Sequence, residues 1–291
     1  MNCILDKTDL RFDSDKVSDY RLSVLLHNKQ FSFLVTDYQS NYLFKLAVYK
    51  LNEADANALN AAAFNDKVEL YKSFLSLPGF AELNYRKVEI AFSGAKVSVI
   101  PPDFVTFGNK KNIVSAAYTV ADWEEILTES VFAEGPAIAS LFPAYIRQAV
   151  ESVFPDAWMR NASAVFIKAV MKKYSQTIIR QIFLNFHDDF FELSVIQGSL
   201  LLYLNSFKYS EPADVLYFVL FVLEQLGFVS SEENIIVMGE TDEDSEVYKL
   251  LEMYCNTLHF VHTPNDINFG DIFRSVNLHH HFILLNMPVC E

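Results

Sequence analysis

His279, His280 and His281 stand side by side, and His259 and His262 lie close by in the chain. Imidazole nitrogens ligate zinc, and alternate residues of a strand share one face, so His279 and His281 would point the same way. A zinc centre needs further donors, and the spacing does not say which residue supplies the third. The ordinary alternative is a row of partly exposed strand histidines. No metal is expected on balance, with His279 and His281 as the candidate ligands if one binds. Cys255 and His259 suggest a nucleophile and base, although Cys255 reads equally as a small apolar residue buried in a helix. There is no Gly-x-Ser-x-Gly elbow, no Walker loop and no Gly-rich dinucleotide turn. Asn161-Ala162-Ser163 matches a glycosylation pattern but reads better as a helix cap.

These residues belong to a chain of 291 residues that is 51% hydrophobic, with 26 Phe and 14 Tyr, enough to build substantial cores. With only 8 Gly and 9 Pro, long flexible linkers are not expected. A net charge of -14 argues against nucleic acid and anionic lipid as partners. The basic doublets Arg86–Lys87, Lys110–Lys111 and Lys172–Lys173 read as solvated surface. Cys3, Cys255 and Cys290 are odd in number and far apart, which suits reduced thiols in the cytoplasm. The first residues, MNCILDKTDLRFDSD, alternate acidic and apolar types and do not read as a signal peptide. The longest apolar run, Val215 to Leu223, is about half of what crosses a bilayer, so no membrane insertion is expected.

Two stretches read as one unit written twice: Arg21 to Asp55 and Arg180 to Asp214. Each holds three alternating apolar runs split by short polar turns, followed by a helix start. In the first, Leu22, Val24 and Leu26 alternate with Ser23, Leu25 and His27, and Asn28-Lys29 makes a tight turn. Phe31, Phe33 and Val35 lie on the next strand, and Leu43 to Leu51 is the third. Asn52 then opens one Ala-rich helix running to Leu77 and ended by Pro78-Gly79. Val88–Phe92 and Val97–Ile100 are β-like, and 101–121 is irregular. Glu125–Val131 and Ala137–Phe142 form a hairpin, Pro143 opens a helix to Phe154, and Asn161 caps another to Tyr174.

In the second copy, Thr177–Phe186, Phe190–Gln197 and Leu200–Phe207 are strands, and Ser210–Gly227 is a helix apolar nearly all round. Ile235–Met238, His259–His262 and His279–Leu285 are further strands. Ser245–Thr257 is an amphipathic helix, and Asp271–Val276 a helical turn. Hairpins in front and βα crossovers behind imply an α/β protein of two lobes, each a mixed five-stranded sheet with helices on its faces. The first lobe spans 1–174 with a small inserted hairpin region at about 101–142; the second spans 175–291.

The repeated meander, helix and strand resemble the actin, sugar-kinase and heat-shock-chaperone superfamily, with its ribonuclease H-like lobes. Bacterial pilus-assembly and cell-division actin-like proteins are closest in organisation, and an uncharacterised bacterial family degenerate among them fits best. The resemblance covers roughly Tyr20 to Leu285 and rests on element order. In active members the first hairpin turn of each lobe holds phosphates and metal, using an Asp, a Gly and small hydroxyl residues. The corresponding first turn here is Leu26-His27-Asn28-Lys29-Gln30, with no Gly, carboxylate or hydroxyl. The second is Phe186-His187-Asp188-Asp189-Phe190, with carboxylates but no Gly.

Of the paired glycines that contact adenosine in the superfamily, only Gly239 stands here. The Glu240, Asp242, Glu243 and Asp244 after it would repel a triphosphate or simply open a helix. The resemblance therefore places degenerate phosphate-turn positions at His27, Asn28, Lys29, Asp188, Asp189 and Gly239, with no catalytic residue. It implies a non-catalytic interaction or scaffolding protein that binds a protein partner or itself and needs no cofactor. The alternative is a divergent kinase or ATPase that takes ATP and Mg²⁺, with Asp188 or Asp189 holding the metal.

Overall fold

A computed structural model describes residues 1–77, 79–106 and 110–290. In the first lobe, β1 (Asn2–Thr8) precedes the meander β2 (Tyr20–Leu26), β3 (Gln30–Asp37) and β4 (Tyr42–Lys50). Helices α1 (Glu53–Ala61) and α2 (Phe64–Ser76) lead to β5 (Lys87–Phe92) and β6 (Val97–Ile100). Then come α3 (Pro102–Thr106), α4 (Lys110–Ala117), β7 (Glu124–Ser130), β8 (Ala137–Pro143), α5 (Ala144–Val153), β9 (Trp158–Asn161) and α6 (Ala162–Tyr174).

The second meander is β10 (Arg180–Phe186), β11 (Phe190–Gln197) and β12 (Leu200–Lys208). It is followed by α7 (Pro212–Gln225), β13 (Asn234–Gly239), α8 (Glu246–Glu252), β14 (Thr257–Phe260), β15 (Asn268–Phe269) and α9 (Phe282–Asn286).

Two mixed sheets repeat one plan. In the first the order β4-β3-β2-β5-β9 runs antiparallel, antiparallel, parallel, parallel; β12-β11-β10-β13-β14 does the same in the second. Even the irregularity recurs, with a register shift after Val35 in β3 and after Val195 in β11. Register sets Leu26 opposite Phe31 and Phe186 opposite Phe191, so His27 and His187 occupy matching places. By the same register Tyr20, not Arg21, matches Arg180. The first sheet is widened by β1 and β15, both pairing with β4. A small sheet of β6, β8 and β7 is attached to it.

Period-two patterning builds three layers of core. Leu22, Val24 and Leu26 of β2 face outward with α2 and α5, whereas Leu25 faces the interior. In the second sheet Ile182, Leu184 and Phe186 face α7 and α8, and Phe183 faces the interior. Between the sheets lie α6 and α9, which is why α6 is buried nearly all round. Both faces of β2, β3 and β11 are therefore dry, as mixed sheets covered on two sides require.

Several expected elements differ. The single helix to Leu77 is two, because the chain is extended at Ala62 and Ala63. The bend lets α2 lay Val68, Tyr71, Phe74 and Leu75 on the sheet, while α1 buries nothing. Pro78, expected to end that helix, lies outside the described residues. The stretch 101–121, expected to be irregular, contains α3 and α4; the latter buries Val114 against the small sheet, and 107–109 lie outside the described residues. β1 was not anticipated, although the alternation in the first residues is its signal. The strand expected over His279–Leu285 is absent. Leu278–His281 is a 3₁₀ turn leading into α9, whose Phe282 to Asn286 are all buried. A fully buried helix and a fully buried strand both read as an unbroken apolar run.

Candidate functional site at the interlobe turns

The β2–β3 turn closes through the His27 N–H donating to the Gln30 carbonyl at 2.9 Å, and the β10–β11 turn through His187 to Phe190, also at 2.9 Å. The two turns meet. His27, Asn28 and Lys29 from one lobe and His187, Asp188, Asp189 and Phe190 from the other line a cavity of about 310 Å³. The His27 and His187 rings are 4.9 Å apart. Five of the six sequence-derived positions are thus brought together.

Gly239 stands behind them, where β13 meets β10 beside Phe186. A Cβ there would lie 2.1 Å from the Phe186 carbonyl, and its φ is +83°, so only glycine fits. Its role in the structure is close strand approach.

Charge in the cleft is set by a residue that sequence reasoning missed. Lys50 ends β4 beside the first turn, where the Leu51 N–H donates to the Lys29 carbonyl at 2.8 Å. Its ammonium reaches Asp188 at 3.3 Å and Glu240 at 3.2 Å, joining the lobes. Burial works against its charge, but Glu240 and Asp188 outweigh it and hold the pKa above the usual lysine value. The first-lobe strand register placed Lys50 opposite Gln30, yet only the folded pairing of the lobes could show its carboxylate partners.

His27 is half-buried in the cleft wall, and burial, then His187 and Lys50, push its pKa well below the ordinary value. It is a neutral imidazole at neutral pH. Beneath it, His187 sits in a buried polar cluster, with Ser93 Oγ at 3.4 Å and Glu192 at 3.1 Å. Asn185 donates to Glu192 at 2.7 Å. His187 lies in the turn already singled out, whereas Lys50, Asn185 and Glu192 have no local motif to betray them, since each acts across strands or lobes.

The histidine triplet is placed otherwise than expected. Because residues 278–281 form a 3₁₀ turn, His279 and His281 do not share a strand face. His279 Nε2 donates to the Thr241 carbonyl at 2.9 Å, and His280 Nε2 lies 3.2 Å from the same oxygen and 3.1 Å from Asp242. His281 lines a second cavity of about 420 Å³ together with His280, Asp242, Gln30, Lys50 and Glu240. Burial, then His280 and His279, push its pKa down to about 3. Cys255 packs in the second-lobe core, and burial raises its thiol to about 11, so it holds no thiolate for catalysis at neutral pH.

Comparison with known proteins agrees with the architecture. The family model described as "Protein of unknown function (DUF3822)" matches residues 9–258. No curated protein matches the sequence. A Bacteroides thetaiotaomicron protein with actin-like ATPase fold and unknown function superposes with a TM-score of 0.75 at 16% identity, covering 94% of this chain and 98% of that one. A chain from the PilM–PilN type IV pilus biogenesis complex gives 0.65 at 10% identity, covering 92% and 97%. The actin-like fold is shown by these superpositions. Among the described residues no helix is long and apolar enough to cross a membrane.

Proposed function

The chain belongs to the family described as protein of unknown function (DUF3822), and we propose that it is a non-catalytic actin-like protein that works by binding another protein or itself. The observation that carries this reading is the Lys50 bridge to Asp188 and Glu240. Phosphate transfer needs preorganised donors and metal aimed at the developing charge. Here the Lys50 ammonium is already engaged by two carboxylates, and neither turn contains a glycine to bring backbone N–H groups onto an anion.

The shared strand order supports reading the lobes as copies of one unit, divided near 174/175, with the small sheet as the insertion of the first. Free thiols at Cys3, Cys255 and Cys290 support a reducing, cytoplasmic setting. For a partner, the second lobe offers Tyr217 and Phe221, one turn apart on α7 and 61% and 45% exposed. Leu200 and Leu202 are exposed on the edge strand β12. Aromatic side chains of this kind are enriched at protein interfaces, and one similar structure is a complex of PilM with PilN.

The cavity with Asp188 and Asp189 in its wall favours a second reading, a divergent kinase or ATPase holding Mg²⁺ there. A ligand at a hundred times its dissociation constant adds about 2.7 kcal/mol to stability. Thermal melts with ATP and Mg²⁺ are expected to show no shift; a saturable shift abolished by Asp188→Asn overturns the non-catalytic reading. Light scattering of the Tyr217→Ser/Phe221→Ser variant tests the interaction face. A wild-type oligomer that survives the substitution unchanged removes α7 from it.

A further inference from the structure

We propose that His279, His280, Asp242 and the Thr241 carbonyl form a site for a divalent transition-metal ion. One ligand atom from each of His279, His280 and Asp242 lies within 4.8 Å of the others. His280 Nε2 is 3.1 Å from Asp242 Oδ1, and His279 Nε2 is 3.7 Å from it. The Thr241 oxygen is 2.9 Å from one imidazole nitrogen and 3.2 Å from the other. Zinc bonds of about 2.0–2.2 Å set tetrahedral edges of about 3.3–3.6 Å between ligands. Four of the six edges, at 2.9 to 3.7 Å, bracket that range, so these donors lie close enough to share one ion.

Surrounding groups hold these ligands in place, as partners behind a metal's ligands commonly do. His279 is stacked on Phe260 with ring centroids 4.1 Å apart, and His280 stands edge-on to His279. Asn277 donates to Asp242 Oδ1 at 2.8 Å.

Both imidazole Nε2 atoms face the Thr241 carbonyl, so on binding each gives up any proton there, to Nδ1 or to solvent, and offers the freed lone pair to the ion. Two imidazoles with a carboxylate and a carbonyl suit Zn²⁺, Co²⁺ or Ni²⁺ better than Mg²⁺ or Ca²⁺, which favour all-oxygen shells. Asp242 and His280 also line the 420 Å³ cavity, which gives the ion a route in. The bound metal would tie the 3₁₀ turn ahead of α9 to the end of β13, fixing the segment packed between the lobes.

The test uses the untagged full chain, stripped with chelator, and Co²⁺ as the spectroscopic probe. A saturable, intense visible band at one equivalent, displaced by Zn²⁺, is expected. Asp242→Asn and His280→Ala should each weaken Zn²⁺ binding by at least roughly tenfold to a hundredfold. The double variant His259→Gln/His262→Gln, altering exposed histidines nearby, should bind as wild type. Asp242 is half-exposed, so its variant is expected to fold, and an unchanged circular dichroism spectrum checks this. Absence of a saturable band overturns the site, as does undiminished binding by folded Asp242→Asn.

Discussion

The two lobes share a strand order and differ in what their inner faces carry. At the parallel seam of the first lobe, Glu89 is fully buried and meets Arg160 at 3.3 Å, while Arg160 reaches Glu129 at 2.7 Å, which Lys168 also contacts. The same guanidinium donates to the Met287 and Cys290 carbonyls at 3.0 and 2.6 Å, and Arg21 donates to that of Pro288 at 2.6 Å. Burial works against ionisation of Glu129, yet Arg160 and Lys168 hold its pKa below the carboxylate norm. In the second lobe the same segment is held at the end of β13, where the Thr241 carbonyl and the Asp242 carboxylate face His279 and His280. Alternating apolar residues were enough to build both sheets. The polar residues decide which lobe holds what.

The largest expected effect comes from removing the charge on the first-lobe side. Arg160→Met leaves Glu89 buried without that partner, and about 3–5 kcal/mol of stability should disappear in urea denaturation. A loss below 1 kcal/mol would show that the first lobe depends on its ions no more than the second.

Backbone geometry gives the next contrast. Gly239→Ala places a methyl 2.1 Å from the Phe186 carbonyl as well as in a left-handed conformation, for a cost of ~3 kcal/mol or more. Gly227→Ala, left-handed but with open space around it, should cost only about 1–2 kcal/mol. Equal losses would remove close strand approach as the reason for Gly239.

The imidazoles should give the mildest response, seen as a pH slope. His27, His279 and His281 all titrate below 6.5 when folded, so the unfolded chain binds more protons in that range. Their contribution is complete above about pH 6.5 and shrinks as the pH falls toward about 3. His281→Gln should flatten that slope in melting temperature measured against pH, with little change at pH 8. A slope unaltered between pH 6.5 and 4 would place the titrating group elsewhere.

Much of the fold could be read because β2, β3, β10 and β11 are short apolar runs with partial alternation, separated by short polar turns. Asn52 and Asn161 cap helices as expected, accepting from Asp55 and Ala164. The C-terminal segment was misread because Phe282-Ile283-Leu284-Leu285 is apolar whichever way it coils, and only burial between two sheets selects a helix. The candidate site was half legible. The turn residues were found by their place in a repeated pattern, whereas the ligands of Lys50 lie 138 and 190 residues away in sequence. Likewise Asp242 gave no sign of meeting His280, since a contact across 38 residues depends on how β13 and the final turn are stacked.

Residues 278–290 also impose an order of events on biosynthesis. Arg21, Glu89 and Arg160 emerge from the ribosome long before the carbonyls of Met287, Pro288 and Cys290 that two of them will cap. Until those carbonyls are translated, Arg21 and Arg160 lack three of the acceptors they have in the folded chain. Consolidation of the first lobe therefore waits for residues 278–290, and a stalled chain ending before residue 278 should be more protease-sensitive at β2, β5 and β9 than the full chain.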